Sequence, residues 1–220
     1  MAAMNVNPTR MEMTRLKKRL AVARRGHKLL KDKRDELMKI FLDVVKQNKE
    51  LREQVESLLT QSYQSFLIAR AVMSTEVLEE ALMFPKQKVE LKVETENRMS
   101  VSVPHFEYVQ VSNGGDIYPY GFATTSSDLD TSMQFLASAL PLMLRLAESE
   151  KTAQLLAQEI ERTRRRVNAL EYVLIPQLED TIRYITMKLE ENERGNITRL
   201  MKVKDMMLEQ THHYREKMLN

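Results

Sequence analysis

Along the first third of the chain, seam positions recur at alternating steps of three and four. They run through Met13, Leu16, Leu20, Ala23, His27, Leu30, Arg34, Leu37, Phe41, Val44, Asn48, Leu51, Val55, Leu58 and Ser62. Only His27, Arg34, Asn48 and Ser62 interrupt their apolar character. A 3.5-residue period held for about seven heptads marks a left-handed coiled-coil seam, and at this length it is a specific signal. Thr9 followed by Glu12 is a capping-box pattern that starts the helix near Arg10. The helix is expected to run to about Phe84, where Pro85 stops it, giving roughly 110 Å at 1.5 Å per residue.

Composition agrees with long exposed helices. Five glycines and six prolines in 220 residues are too few for a loop-rich enzyme, and 30% charged against 43% apolar residues with no tryptophan suits helices that bury only a seam. The absence of cysteine removes disulfides, thiolate metal sites and a cysteine nucleophile together, and fits an intracellular protein. Met1 to Arg10 lacks the apolar stretch of a signal peptide, and no window approaches eighteen uninterrupted apolar residues, so a soluble chain is expected.

From Lys86 the period becomes two. Val89, Leu91 and Val93 alternate with Lys and Glu, and Met99, Val101 and Val103 alternate with Ser, which reads as a β-hairpin turning at Glu96-Asn97-Arg98. A lone two-stranded ribbon is marginal, so its apolar face needs a neighbour. Ser112 to Asp116 and Pro119-Tyr120-Gly121 read as loop, and Gly114-Gly115 lacks the Lys-Ser/Thr of a phosphate cradle.

A second helix opens at Ser126-Ser127-Asp128 and continues to about Arg215, with a kink or short break expected at Pro141. Its seam runs through Leu156, Ile160, Thr163, Val167, Leu170, Leu174, Leu178, Ile182, Ile185, Leu189, Asn192, Asn196 and Val203. The four-residue steps from Leu170 to Ile182 enclose Pro176. That stutter predicts local unwinding there. The fold expected is therefore mainly α: two very long helices forming an antiparallel coiled-coil hairpin with a small β-hairpin inserted in the middle. Its parts are an extension over 1–9, the first helix over 10–84, hairpin and loop over 85–125, and the second helix and tail over 126–220. Setting Ser62 near Leu156 and Met13 near Asp205 brings Glu50, Glu53 and Glu56 opposite Arg162, Arg164, Arg165 and Arg166.

No catalytic constellation can be assembled, and neither a zinc-protease, a phosphate-loop nor a nucleophile-elbow pattern occurs. No cofactor or metal is expected. His27 on the seam reads as paired with a carboxylate such as Glu190 or Glu191, and His212-His213 reads as a solvated pair, with a weak metal site as the alternative. Asn196-Ile197-Thr198 matches a glycosylation acceptor by chance. The methionines cluster on the seams and from Met201 to Met207, where they fill a core adaptably or meet a changing partner surface.

The net charge is +3, yet Arg10 to Arg34 holds eleven Lys or Arg against Glu12 and Asp32. This basic sleeve reads as a solvated face, or as a surface for an acidic protein or for nucleic acid. Lys17, Lys18, Arg19, Arg24, Arg25 and Lys28 lie between or beside seam positions, so most of them must point away from the partner helix.

Three stretches carry a resemblance to the D-subunit family of the V-type ATPases: Asn7-Pro8-Thr9-Arg10 with Leu16 to Leu20, Arg25 to Leu37, and Arg164 to Leu178, the last continuing into Leu189 to Arg194. It covers both long helices. The resemblance implies a cytoplasmic rotor axle, tied to the membrane only through its complex, that couples ATP hydrolysis or synthesis to ion translocation without doing chemistry itself. It implies that the paired terminal helices enter the hexamer of A and B subunits, that the middle binds the small F subunit, and that the foot meets a funnel-shaped subunit above the membrane ring. The residues expected at the hexamer collar are Lys17, Lys18, Arg19, Arg24, Arg25, Lys28, Arg164, Arg165 and Arg166; those expected at the F subunit are Val89, Leu91, Val93, Met99, Val101 and Val103. Two other classes stay open on the residues alone. One is a prefoldin-like chaperone or other coiled-coil scaffold, although the sleeve and helix length count against it. The other is a nucleic-acid-binding coiled coil, although the sleeve lacks interleaved aromatics.

Overall fold

The computed structural model describes residues 6–112, 117–121, 123 and 125–219, with side chains at 110–112 and 210–219 outside the described set. Helix α1 spans Arg10–Val72, α2 Thr75–Leu82, strand β1 Gln87–Arg98, β2 Val101–Ser112, α3 Ser127–Ala169 and α4 Ile175–Leu219, with a π-helical turn over Leu170–Leu174 between the last two. Thr9 caps α1 as its spacing predicts, its Oγ1 accepting the Glu12 N–H at 3.2 Å. The first helix does not continue to Phe84. It ends at Val72, and Ser74, in extended conformation, starts the short α2.

The chain forms two compact units, one from 1–33 and 163–220, the other from 34–162. In the first, α1 and α4 zip together around Leu16, Ala23, Leu178 and Ile185, flanked by Met13, Leu20, Ile182 and Leu189. In the second, Leu37 and Val44 of α1 meet Leu156 and Ile160 of α3. Farther along, Ala69, Leu78, Ala81 and Leu129 close a second cluster. All fifteen α1 seam positions are buried or half-buried, from Met13 to Ser62. Asn48 pays for its seam position with a buried, unpartnered Oδ1.

Both units are antiparallel, but their register differs from the expected one. Arg10 faces Glu193, Arg24 faces Glu179, His27 faces Glu171, and in the other unit Arg52 faces Glu150. Ser62 meets Ser132, not Leu156, through reciprocal bonds in which each hydroxyl donates to the other residue's carbonyl at 3.0 and 2.9 Å. Paired residue numbers thus total about 200 rather than about 218, a slide of roughly 27 Å at 1.5 Å per residue. His27 consequently finds Glu171, not Glu190 or Glu191, and Glu191 pairs with Lys188. The proposed opposition of Glu50, Glu53 and Glu56 to the arginine run also falls; Glu53 pairs with Lys49 of its own helix and Arg162 with Glu159.

The two internal prolines behave differently. Helix α3 passes through Pro141 without a break. At Pro176 the chain widens into the π-turn, where the Ile175 N–H donates to the Leu170 carbonyl, one residue farther back than in an α-helix. Proline clashes with the carbonyl four residues before it, and a wider turn relieves that clash. Leu170 is half-buried while Glu171 to Leu174 are exposed, so the seam lifts out for one turn where the stutter falls.

Candidate functional site

The β-ribbon turns at Met99-Ser100, not at Glu96-Asn97-Arg98. Both turn residues are left-handed, with φ of 52° and 69°, and Asn97 Oδ1 accepts the Ser100 N–H at 2.9 Å. Such a two-residue turn matches the right-handed twist of the strands it joins. It also fixes which side chains share a face. Pairing of Val93 with Phe106 and Leu91 with Tyr108 puts these four together, while Val103 opposite Glu96 and Val101 opposite Arg98 fall on the other face. The six apolar residues expected to act as one surface are therefore divided. Val101 and Val103 are buried against Leu37, Val44, Leu156 and Ile160, docking the ribbon on its helical stem. Leu91, Val93 and Met99 are exposed and Val89 is half-buried.

A second link holds the docked face. His105 Nδ1 lies 2.9 Å from Glu148 Oε1 of α3, and this carboxylate, with Glu107 and Glu96 behind it, holds the imidazole pKa above its ordinary value. Nothing in the sequence pairs His105 with Glu148, forty-three residues away. Only the observed register brings them together.

The nine cationic residues of the expected collar surface all lie in the first unit and all are exposed. Arg24 Nη2 is 2.7 Å from Glu179 Oε1 and so is partly committed within the chain. Arg25 Nε donates to the Ala21 carbonyl at 3.4 Å, and Arg165 has partners of its own. Among the described residues, Lys17, Lys18, Arg19, Lys28, Arg164 and Arg166 take part in no ion pair. Beside the sleeve lies an open groove of about 540 Å³, lined by the apolar Val22, Ala23, Leu170, Leu174 and Leu178 together with Arg15, Lys18 and Arg19.

Beyond Glu193, whose partner Arg10 is the first residue of α1, the residues of α4 are exposed up to Glu209. Ile197, Leu200, Met201, Val203, Met206 and Met207 stand open to solvent there. In the other unit, Met83 and Phe84 are similarly exposed after α2. Among the described residues no group of acidic, histidine or cysteine side chains is arranged to hold a metal, and no helix is long and apolar enough to cross a membrane. His212-His213 and Gly114-Gly115 lie outside the described residues or side chains.

Residues 12–205 match the family model for the ATP synthase D subunit. The chain is 68% identical over 219 residues to the V-type ATP synthase D subunit of Acetivibrio thermocellus, covering 99% of each protein. It is 64% identical over 208 residues to that of Clostridioides difficile, covering 94% of each. To the V-type ATP synthase D subunit of Clostridium novyi it is 61% identical over 209 residues, covering 94% of this chain and 97% of the relative.

Proposed function

Because the chain belongs to the D-subunit family of ATP synthases and is thus a component of a V-type ATPase, we propose that it is the central rotor stalk of that complex. It couples nucleotide turnover in an A/B hexamer to ion translocation through the membrane ring by turning, and does no chemistry of its own. The observation that carries this reading is the outward placement of the sleeve. The seam consumes the apolar face of α1, so the cationic side chains on its other faces are left for an outside partner.

A rotor works by differential contact. A surface that met every A/B pair alike would shift no equilibrium, whereas an off-centre one favours a different nucleotide state in each pair as it turns. The sleeve and the bare α4 end supply such unequal faces. Exposed charge contacts are individually weak and salt-screened, which suits a bearing that must release as readily as it engages. Apolar methionines at the α4 end adapt to a changing wall. The open ribbon face, with Leu91, Val93, Phe106 and Tyr108, is assigned to the F subunit. The Met83-Phe84 end is assigned to the funnel-shaped component above the ring.

Rotation itself is the test. The chain has no cysteine, so Ser100→Cys at the exposed ribbon turn offers a single attachment point for a bead on complexes immobilised through the hexamer. Unidirectional turning on addition of ATP is expected. A bead that stays still while the same complexes hydrolyse ATP refutes the rotor assignment.

A further inference from the structure

The groove beside the sleeve owes its depth to two local features that nothing within the chain uses. Gly26 is an interior residue of α1, where glycine is among the least favourable choices because it gives up the most backbone freedom. A Cβ there would meet no atom within 4 Å, so neither close packing at that atom nor backbone strain asks for glycine. Its absent side chain simply leaves the groove open. Opposite it, the π-turn before Pro176 lifts Leu174 out of the seam, where it lines the groove. The rest of the lining is apolar except for Arg15, Lys18 and Arg19. Lys18 and Arg19 have no ion pair among the described residues, and Arg15 has only its helix neighbour Glu12 at 3.3 Å. A concave apolar strip under uncompensated cations suits a large apolar side chain flanked by carboxylates.

We infer that this groove is the seat for an amphipathic acidic segment of the A or B polypeptide, which inserts an apolar side chain between Val22 and Leu174 while its carboxylates meet Lys18 and Arg19. This deepens the rotor reading and rests on it. The apolar insertion fixes where the segment sits along the stalk, and the cations draw it in. A smooth cationic surface gives attraction without a fixed position; the groove adds the position. Gly26 is then a residue whose benefit appears only in the complex, since any side chain there would occupy the space of the incoming one.

Two measurements on complexes of the full chain with its A and B partners test this. Gly26→Leu projects a side chain into the groove from a Cβ position that meets no atom within 4 Å, and is expected to weaken association of the chain with the hexamer about tenfold or more while its helix content and melting temperature hold or rise. Val22→Cys, the single thiol of such a chain, carries a benzophenone reagent and is expected to cross-link to a segment of A or B in which an apolar residue lies among Asp and Glu. If Gly26→Leu binds as tightly as the unaltered chain, or if the cross-link reaches neither A nor B although the chain is held in the complex, the groove is not a seat and the inference falls while the rotor reading stands. If the unaltered chain does not associate with the hexamer at all, both fall. Should Gly26→Leu misfold, Gly26→Ala and the cross-link decide the matter alone.

Discussion

Val93 and Val103 are the same residue type in the same ribbon, and the two-residue turn sends them to opposite faces. That makes them a matched pair for measuring what docking of the ribbon contributes. Val103 is 2% exposed against Leu37, Val44, Leu156 and Ile160, whereas Val93 is 56% exposed. Val103→Ala removes two methyl equivalents, worth about 1.6 kcal/mol in transfer at ~0.8 each. It also leaves a void of about 50 Å³, worth up to ~1.2 kcal/mol if nothing moves. A two-stranded ribbon docked through one face can settle into part of that void, so a loss of about 2 kcal/mol is expected. For a chain of this length that corresponds to a fall of roughly 4 to 8 °C in Tm. Val93→Ala should change stability by less than about 0.5 kcal/mol. Thermal unfolding followed by circular dichroism, with amide exchange read along β1 and β2, separates the two. Equal losses, or a larger loss for Val93→Ala, would show that the ribbon docks by its other face and refute the parity argument.

Three further outcomes are expected. The His105–Glu148 link should be pH-sensitive: its imidazole pKa is raised on folding, so its contribution is complete below about pH 6.5 and is lost as pH rises through the folded value; amide exchange of the ribbon should therefore be slower at pH 6 than at pH 8.5, once intrinsic exchange rates are divided out, and Glu148→Gln should erase the difference. Either Ser62→Ala or Ser132→Ala should cost about 1 kcal/mol, and the double variant close to the sum, because each hydroxyl donates to the other residue's backbone carbonyl, which alanine retains; a double variant that loses no more than either single one in chemical denaturation would contradict the reciprocal arrangement. Reversing Lys17, Lys18 and Lys28 together should loosen retention of the chain by the hexamer, measured as ATPase activity and bound chain against ionic strength, whereas single alanines leave both nearly unchanged; retention indifferent to the triple reversal would reduce the sleeve to a solvated surface.

The seam was readable because its periodicity is a property of single residues along one helix, and every seam position from Met13 to Ser62 carries it. The register was not. A heptad pattern says which face is buried but repeats itself every turn or two, so sliding one helix along the other preserves the apolar match. What selects the observed offset is sparse and long-range: the Ser62–Ser132 contact, His27 with Glu171, and Val103 lodged between the helices. The ribbon turn escaped for a related reason. Met99 and Ser100 are poor advertisements for left-handed backbone, and the polar run Glu96-Asn97-Arg98 looks more like a turn than the place where one occurs. Exposure of the cationic sleeve followed from the seam by exclusion. Its groove did not, since it needs Gly26 and the π-turn before Pro176 brought face to face.

The two units differ in how the chain must be made. Residues 34–162 are contiguous, and that unit has all its parts as soon as Arg162 leaves the ribosome. The unit holding the sleeve is assembled from both flanks, so Leu16, Leu20 and Ala23 emerge early and wait for Leu178 and Ile185. At synthesis rates of about 5 to 20 residues per second, that interval is on the order of ten to thirty seconds. During it the segment exposes an apolar stripe beside a dense row of cations, the kind of surface that nascent-chain chaperones and acidic polymers bind. Closing it also requires the two flanks to find each other across the whole intervening unit. Early folding of 34–162 shortens that search, because a folded insert holds the loop ends closer than a random chain of the same length. The inner unit is thus the splint on which the sleeve is closed.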